Sequence, residues 1–299
     1  TKHASPAVRK LARELDCNLN NIQGTGRKGR ITTEDVYNHT KKNISENSIN
    51  PKLKTNNQDT FFNDLSKWGI VEKIELNSVK KITAKRLHKA WNEIPHVTQF
   101  DEIDITELDK TIKTLKNVNK NPKIKISFIP FFMKAILKIL RELPIFNTSL
   151  SDDKNFLIQK KYYNIGVATE TSRGLVVPVI KNVDKKSIKS ITQEFTQIIY
   201  KAKEKRLTIE DMSGGCFTIS SLGNLGGSFF TPIINPPEVA ILGISKIEIK
   251  PKLINNKFKA RKILPVSLSY DHRVIDGADA ARFTSLFAKL ISQPDSLLN

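Results

Sequence analysis

Apolar residues recur at helical spacing in several separate stretches of the chain. Between Pro6 and Leu15, the side chains of Val8, Leu11, Ala12 and Leu15 share one face. Ser5 stands ahead of them as a helix N-cap, and Pro6 takes the first helical position. A second helix start follows a glycine-rich turn, where Thr32 with Asp35 three residues on makes a capping-box pattern before Val36 and Tyr37. The pattern predicts two short helices around a loop. At about 40 residues such a unit lies at the lower limit of independent stability, so its core is small and its work is surface binding.

Past this unit the periodicity lapses. Residues 41–60, polar, rich in Lys and Asn and without sustained period, read as a mobile linker with a root-mean-square reach on the order of 25 Å. From Phe61 onward helical and strand patterns alternate. Helical spacing returns at Ile129 to Leu140, at Ile191, Phe195, Ile198, Ile199 and Ala202, and at Phe283, Leu286, Phe287 and Leu290. Between them lie strand-like runs: Gly174 to Ile180, Phe217 to Ser220, Glu238 to Leu242 and Leu264 to Ser269. The expected organisation is a small all-α domain over 3–40, a linker over 41–60 and one α/β domain over 61–299.

Composition narrows the classes. The net charge of +19 would point to nucleic acid, but the 49 cations are 38 Lys and 11 Arg spread along both domains, the pattern of a solvated basic surface. Nucleic acid is therefore not the expected partner. The most apolar window, Phe128 to Leu140, is broken by Lys134 and Lys138 and is shorter than the roughly 20 residues a bilayer needs, so no membrane span is expected. Cys17 and Cys216 fall in different domains, which argues against a disulfide and for a reducing compartment.

Gly24-Thr25-Gly26-Arg27-Lys28-Gly29 satisfies G-x-G-x-x-G, but neither a preceding strand nor a βαβ unit surrounds it, so it is not a dinucleotide site. It reads as a tight loop needing positive φ at its glycines, displaying Arg27, Lys28 and Arg30 beside Arg9 and Lys10. That basic patch suits an acidic partner surface; the alternative is a solvated face.

The strongest local signal is Ser269-Tyr270-Asp271-His272-Arg273-Val274-Ile275-Asp276-Gly277, at a strand end directly before a helix. His272 suits a general base near neutral pH, and Asp276, four residues on, can orient it. Three other readings stay open: an ordinary packed His, a metal site of Asp271, His272 and Asp276, or an Asp that merely caps the helix. A second segment, Gly214 to Gly223, is a strand ending in hydroxyls and glycines, where Ser220 can donate to an oxyanion or simply satisfy its own backbone. Cys216 reads as packed beside the sheet rather than as a nucleophile.

Asp271-His272-Arg273-Val274-Ile275-Asp276-Gly277 resembles the H-x-x-x-D-G signature of the dihydrolipoamide acyltransferases of 2-oxo acid dehydrogenase complexes, whose catalytic domain is similar to chloramphenicol acetyltransferase. Phe217 to Gly223, Asn164 to Ala168, Gly174 to Val179 and Pro236 to Gly243 resemble the same family. Ser5 to Ala12 and Gly24 to Ile31 look like its peripheral subunit-binding domain. Within the family, Trp68 to Glu72, Ile94 to Asp101 and Phe146 to Leu150 are most similar to the bacterial pyruvate dehydrogenase branch. The family's lipoyl domain has no counterpart, and no Asp-Lys-Ala tripeptide occurs, so the resemblance implies an amino-terminally shortened member.

The resemblance implies a mixed sheet with flanking helices and transfer of an acetyl group from S-acetyldihydrolipoyl-lysine to coenzyme A. His272 is the implied base, Ser220 the oxyanion donor and Asp276 the orienting residue, with Arg86 as a candidate partner for Asp276. Coenzyme A is a substrate, the lipoyl group arrives on a separate domain, and no metal is implied. Implied partners are the decarboxylating pyruvate dehydrogenase component, dihydrolipoamide dehydrogenase, the lipoyl domain, and copies of the chain itself in trimers and a 24-subunit core. His and Ser would meet across the trimer interface. A bacterial cytoplasm or an organellar matrix is the implied location. The rival readings are a branched-chain or succinyl transferase and a non-catalytic core component.

Overall fold

The computed structural model describes residues 3–15, 17–39, 64–118 and 124–298, and the chain divides into two units, Thr1–Ile74 and Glu75–Asn299. The linker expected over 41–60 lies outside the described residues.

In the first unit, helix α1 (Pro6–Glu14) starts where Ser5 Oγ accepts the Val8 amide at 3.3 Å. Helix α2 (33–39) starts with a reciprocal box: Thr32 Oγ1 accepts the Asp35 amide at 3.3 Å while Asp35 Oδ2 accepts the Thr32 amide at 2.8 Å. Asp35 also accepts from the Thr25 amide at 3.0 Å and hydroxyl at 2.7 Å, so one carboxylate ties loop to helix. These donors, the Thr25 amide foremost, hold its carboxyl well below the usual range. Val8, Ala12, Ile22, Ile31 and Val36 form the small core, whereas Tyr37 is exposed. The loop glycines differ in their reason. Positive φ occurs at Lys28 and Gly29, but Gly24 and Gly26 are required for space: a Cβ there would sit 2.5 and 2.7 Å from the backbone of the 29–30 segment.

The second unit is an eight-stranded mixed sheet with helices packed on it. Its strands are β1 (His96–Asp104), β4 (Ile165–Thr171), β5 (Gly174–Val176), β6 (Val179–Ile180), β7 (Phe217–Ser221), β8 (Ala240–Ile244), β9 (Glu248–Ile254) and β10 (Lys257–Asp271); β2 (Thr148–Leu150) and β3 (Leu157–Gln159) form a separate hairpin. The order is β1-β10-β8-β7-β4-β5, with β6 on β4 and β9 on β10. Strands β4, β7 and β8 run parallel; the other pairings are antiparallel. The run Gly174 to Ile180 is two strands in one register, interrupted at Val177-Pro178, because Pro178 has no amide to give the ladder.

The longer helices of this unit are α3 (Ser78–Glu93), α4 (Thr106–Val118), α5 (Ile129–Glu142), α6 (Ile188–Lys203) and α7 (Gly277–Ser292), and a single turn, Asp295–Leu298, follows them. Helix α5 is the core element: Phe131, Phe132, Met133, Ala135, Ile136, Ile139 and Leu140 are fully buried against sheet and α7. Lys138 leaves this apolar stretch by donating to the Ser296 carbonyl. Among the described residues no helix is long and apolar enough to cross a membrane.

Candidate active site

Strand β10 ends at Asp271, and the turn that follows is locked from below. The buried Asp271 carboxylate accepts the Arg273 amide at 3.0 Å and clamps the Arg273 guanidinium at 2.9 and 2.7 Å. This pairing commits Asp271 to the turn, which removes it from the set of open metal ligands considered above. His272 is pinned through its backbone, its amide donating to the Pro95 carbonyl at 3.0 Å, while its ring stands half exposed beside Tyr270. Nδ1 faces Asp276 Oδ1 at 4.0 Å, an approach short of a hydrogen bond. Asp276 occupies the N-cap position of α7, yet its side chain makes no capping bond. The helix-cap reading of Asp276 is thereby corrected: its carboxylate is oriented to the histidine side of the turn, exposed to solvent.

Ser220 lies on β7, and its hydroxyl makes no hydrogen bond to any described residue, so the reading of a serine satisfying its own backbone does not hold. It lines a cavity of about 540 Å³ whose walls include Thr218, Ala168, Leu87, Arg86 and Asn235. The cavity's far wall is held by a second histidine: His96 Nδ1 donates to the Ile94 carbonyl at 2.8 Å and Nε2 accepts the Ile234 amide at 3.0 Å. Those two bonds fix the neutral tautomer of His96 and make it structural. Cys216 is buried, donating to the Tyr162 carbonyl at 3.2 Å, and burial pushes its thiol up, away from nucleophilic use.

The structure does not bring Ser220 and His272 together within one chain. Ser220 is in register with Gly243, and Gly243 with Ser267, five residues before His272 along β10. At about 3.3 Å per residue and about 4.8 Å between strands, the two side chains are on the order of 19 Å apart. Arg86 is likewise not the partner of Asp276: its Nη2 donates to Asn235 Oδ1 at 3.0 Å. In the first unit, Arg9, Lys10, Arg27, Lys28 and Arg30 are all exposed. The Ala4–Ile31 bridge brings the start of α1 beside Arg30, and Arg9 Nε donates to the Ala4 carbonyl at 3.3 Å, so the two basic segments meet on one surface.

Residues 69–299 match the model of the 2-oxoacid dehydrogenases acyltransferase (catalytic domain), and residues 2–37 match that of the E3 binding domain. The chain belongs to the 2-oxoacid dehydrogenase acyltransferase family. It is 46% identical over 303 residues to the dihydrolipoyllysine-residue acetyltransferase component of the pyruvate dehydrogenase complex of Haemophilus influenzae, which covers 97% of this chain and 53% of that protein. The component of the same name from Buchnera aphidicola of Acyrthosiphon pisum is 46% identical, covering 99% of this chain and 74% of its own. The chain thus spans about half the length of the Haemophilus relative. Among solved structures, the Azotobacter vinelandii dihydrolipoamide acetyltransferase was studied for the roles of a serine, a histidine and an asparagine in its mechanism. It matches with a TM-score of 0.77 at 45% identity, over 79% of this chain and 97% of its own. The cubic core of the pyruvate dehydrogenase multienzyme complex matches with the same score at 46% identity, also over 79% and 97%.

In this family member one polar group behind the cavity wall, bonded to its Thr218 and Asn235, was not foreseen from sequence. Glu238 is buried at 3% exposure, accepting from Thr218 Oγ1 at 2.6 Å and Asn235 Nδ2 at 3.3 Å. Burial, opposed chiefly by the Thr218 hydroxyl, pushes its carboxyl up to about 7. The available signal was a carboxylate opening the apolar run Glu238 to Leu242, since a buried acid must find partners.

Proposed function

We propose that the chain transfers an acetyl group from the thioester of an acetyldihydrolipoyl group to coenzyme A, in assemblies where one copy supplies His272 and its neighbour Ser220. The carrying observation is the separation of the two residues: each is presented open at its own end of the sheet, too far from the other to act in one chain. Spacing supports the roles. In the Azotobacter enzyme the serine precedes the histidine by fifty-two positions and the asparagine follows by four, as Ser220, His272 and Asp276 do here. The departure is Asp276, a carboxylate where that enzyme has an amide.

With Nδ1 turned to Asp276, His272 Nε2 is the nitrogen that accepts the coenzyme A thiol proton. A thiol of ordinary pKa near 8.5 is only a few per cent ionised at neutral pH, so a base raises the reactive fraction. The sulfur attacks the thioester carbonyl, the oxygen gains charge, and the Ser220 hydroxyl donates to it. Collapse expels the dihydrolipoyl thiolate, which takes the proton back from the imidazolium. Asp276 favours that imidazolium as it forms, and no acyl-enzyme is needed. Self-assembly into trimers, and of trimers into a cubic 24-subunit core, completes the site; Cys17 and Cys216, set in different units of the chain, suit a reducing location such as a bacterial cytoplasm or an organellar matrix.

Sharing of the site is tested by mixing. Co-assembled H272A and S220A chains regain about a quarter of wild-type activity, because a random trimer pairs one intact His with one intact Ser at about that frequency. Each variant alone keeps no more than about 1% of wild-type activity. A mixture with no recovery, or a fully active monomer by light scattering, contradicts a shared site.

The basic surface of the first unit docks acidic faces of the complex's dehydrogenase subunits, dihydrolipoamide dehydrogenase and the pyruvate decarboxylating component, in competition with each other. Arg9→Glu weakens that docking by roughly 2 to 5 kcal/mol where its partner is buried, and transfer to coenzyme A from free acetyldihydrolipoamide is unchanged. Titration at two salt concentrations checks it; normal binding by the variant reduces the patch to a solvated face.

A further inference from the structure

The buried carboxylate of Glu238 sits in a place built for it. Position 215 must be glycine, since a Cβ there would lie 2.6 Å from Glu238 Oε1. Each oxygen has one donor: Oε2 takes the Thr218 hydroxyl and Oε1 the Asn235 amide nitrogen. Asn235 then has a fixed orientation, because with Nδ2 committed to Glu238 its Oδ1 points outward, where it accepts Arg86 Nη2 at 3.0 Å. Thr218 and Ser220, two apart on β7, share one face of the strand. Thr218, Ser220, Asn235 and Arg86 line the same cavity. A chain of bonds thus runs from the sheet interior to a guanidinium on the exposed face of α3.

We propose that Glu238 is a positioning residue for acyl transfer: through Asn235 it holds the Arg86 guanidinium at the Ser220 cavity as a fixed cation for the polyanionic acyl acceptor. This rests on the reading of coenzyme A as that acceptor. The side chains of Lys160 and Cys216 are the other ionisable groups felt by Glu238; Lys160 Nζ is already committed to the Thr148 carbonyl at 2.9 Å, so neither can replace Asn235 in orienting Arg86. An unheld Arg86 samples many rotamers, and the coenzyme must order it on binding. The loss therefore falls on binding rather than on the chemical step. A glutamine at 238 keeps the relay, its oxygen accepting from Asn235 and its nitrogen donating to Thr218 Oγ1.

The test uses the whole chain with four variants, E238A, N235A, their double and E238Q, measuring KM for coenzyme A, kcat, and coenzyme A affinity by calorimetric titration. E238A and N235A each raise KM and Kd about tenfold, the effect of a lost bond to a charged group, with kcat within about threefold. The double variant is no worse than either single one, since both cut the same relay, and E238Q stays within about threefold of wild type. N235A carries the test should E238A fail to fold. Unchanged KM and Kd in N235A, or losses that multiply to about a hundredfold in the double, overturn the relay. A wild-type chain that binds coenzyme A but makes no acyl-CoA contradicts the functional reading alone, because the Kd values still read the relay; one that does not bind coenzyme A overturns both.

Discussion

His272→Ala lowers acetyl transfer to coenzyme A by about 10² to 10⁴ at neutral pH and leaves the assembly intact. The expected size follows from what the ring does. It accepts the thiol proton as the bond to carbon forms, and without it the reaction draws on the few per cent of thiol already ionised. The structure gives reason to expect an intact fold: the turn is held by the His272 amide on Pro95 and by the clamp of Asp271 on Arg273, neither of which uses the imidazole. A rise in pH restores part of the variant's rate, because more thiolate is then supplied by solvent. Activity within threefold of wild type at pH 7, measured by steady-state kinetics, would falsify the assignment of His272.

Ser220→Ala reduces turnover by roughly 10² to 10³ with little change in the Michaelis constant for coenzyme A. Its hydroxyl is uncommitted in the resting chain and acts on charge that exists only in the tetrahedral intermediate, so the effect belongs to kcat. Removing it costs roughly 3 kcal/mol of transition-state stabilisation. Its neighbour Thr218 cannot substitute, since that hydroxyl is already given to Glu238 at 2.6 Å. A variant with normal turnover and a greatly raised Michaelis constant would make Ser220 a binding residue instead.

The local signals that were legible in the sequence are those in which one residue does one short-range job. Ser5, Thr32 and Asp35 cap helices through bonds spanning three residues, and α5, α6 and α7 follow from apolar spacing. What was not legible depends on contacts far apart in the chain. Asn235 and Arg86 are 149 positions apart, and nothing in either neighbourhood announces the bond between them. Glu238 looked like the first residue of a strand, whereas its burial beneath Thr218 is set by how β7 and β8 lie side by side. The glycine loop was placed correctly but for a partly different reason, because close backbone approach at Gly24 and Gly26 is a three-dimensional fact. Resemblance to a family singled out His272, Ser220 and Asp276; the distance between Ser220 and His272 came only from the register of three strands.

The central claim, acetyl transfer from a dihydrolipoyl thioester to coenzyme A, is tested most directly by offering the chain acetyl-, succinyl- and isobutyryl-dihydrolipoamide side by side with coenzyme A. Each acyl-CoA formed is quantified by chromatography. Acetyl-CoA is the expected dominant product, formed at least about tenfold faster than the other two, the discrimination available from a few methylene-sized groups in an apolar pocket. Faster formation of succinyl- or isobutyryl-CoA would move the chain to a sister branch of its family, and the absence of any acyl-CoA from an assembled, folded chain would contradict catalysis itself.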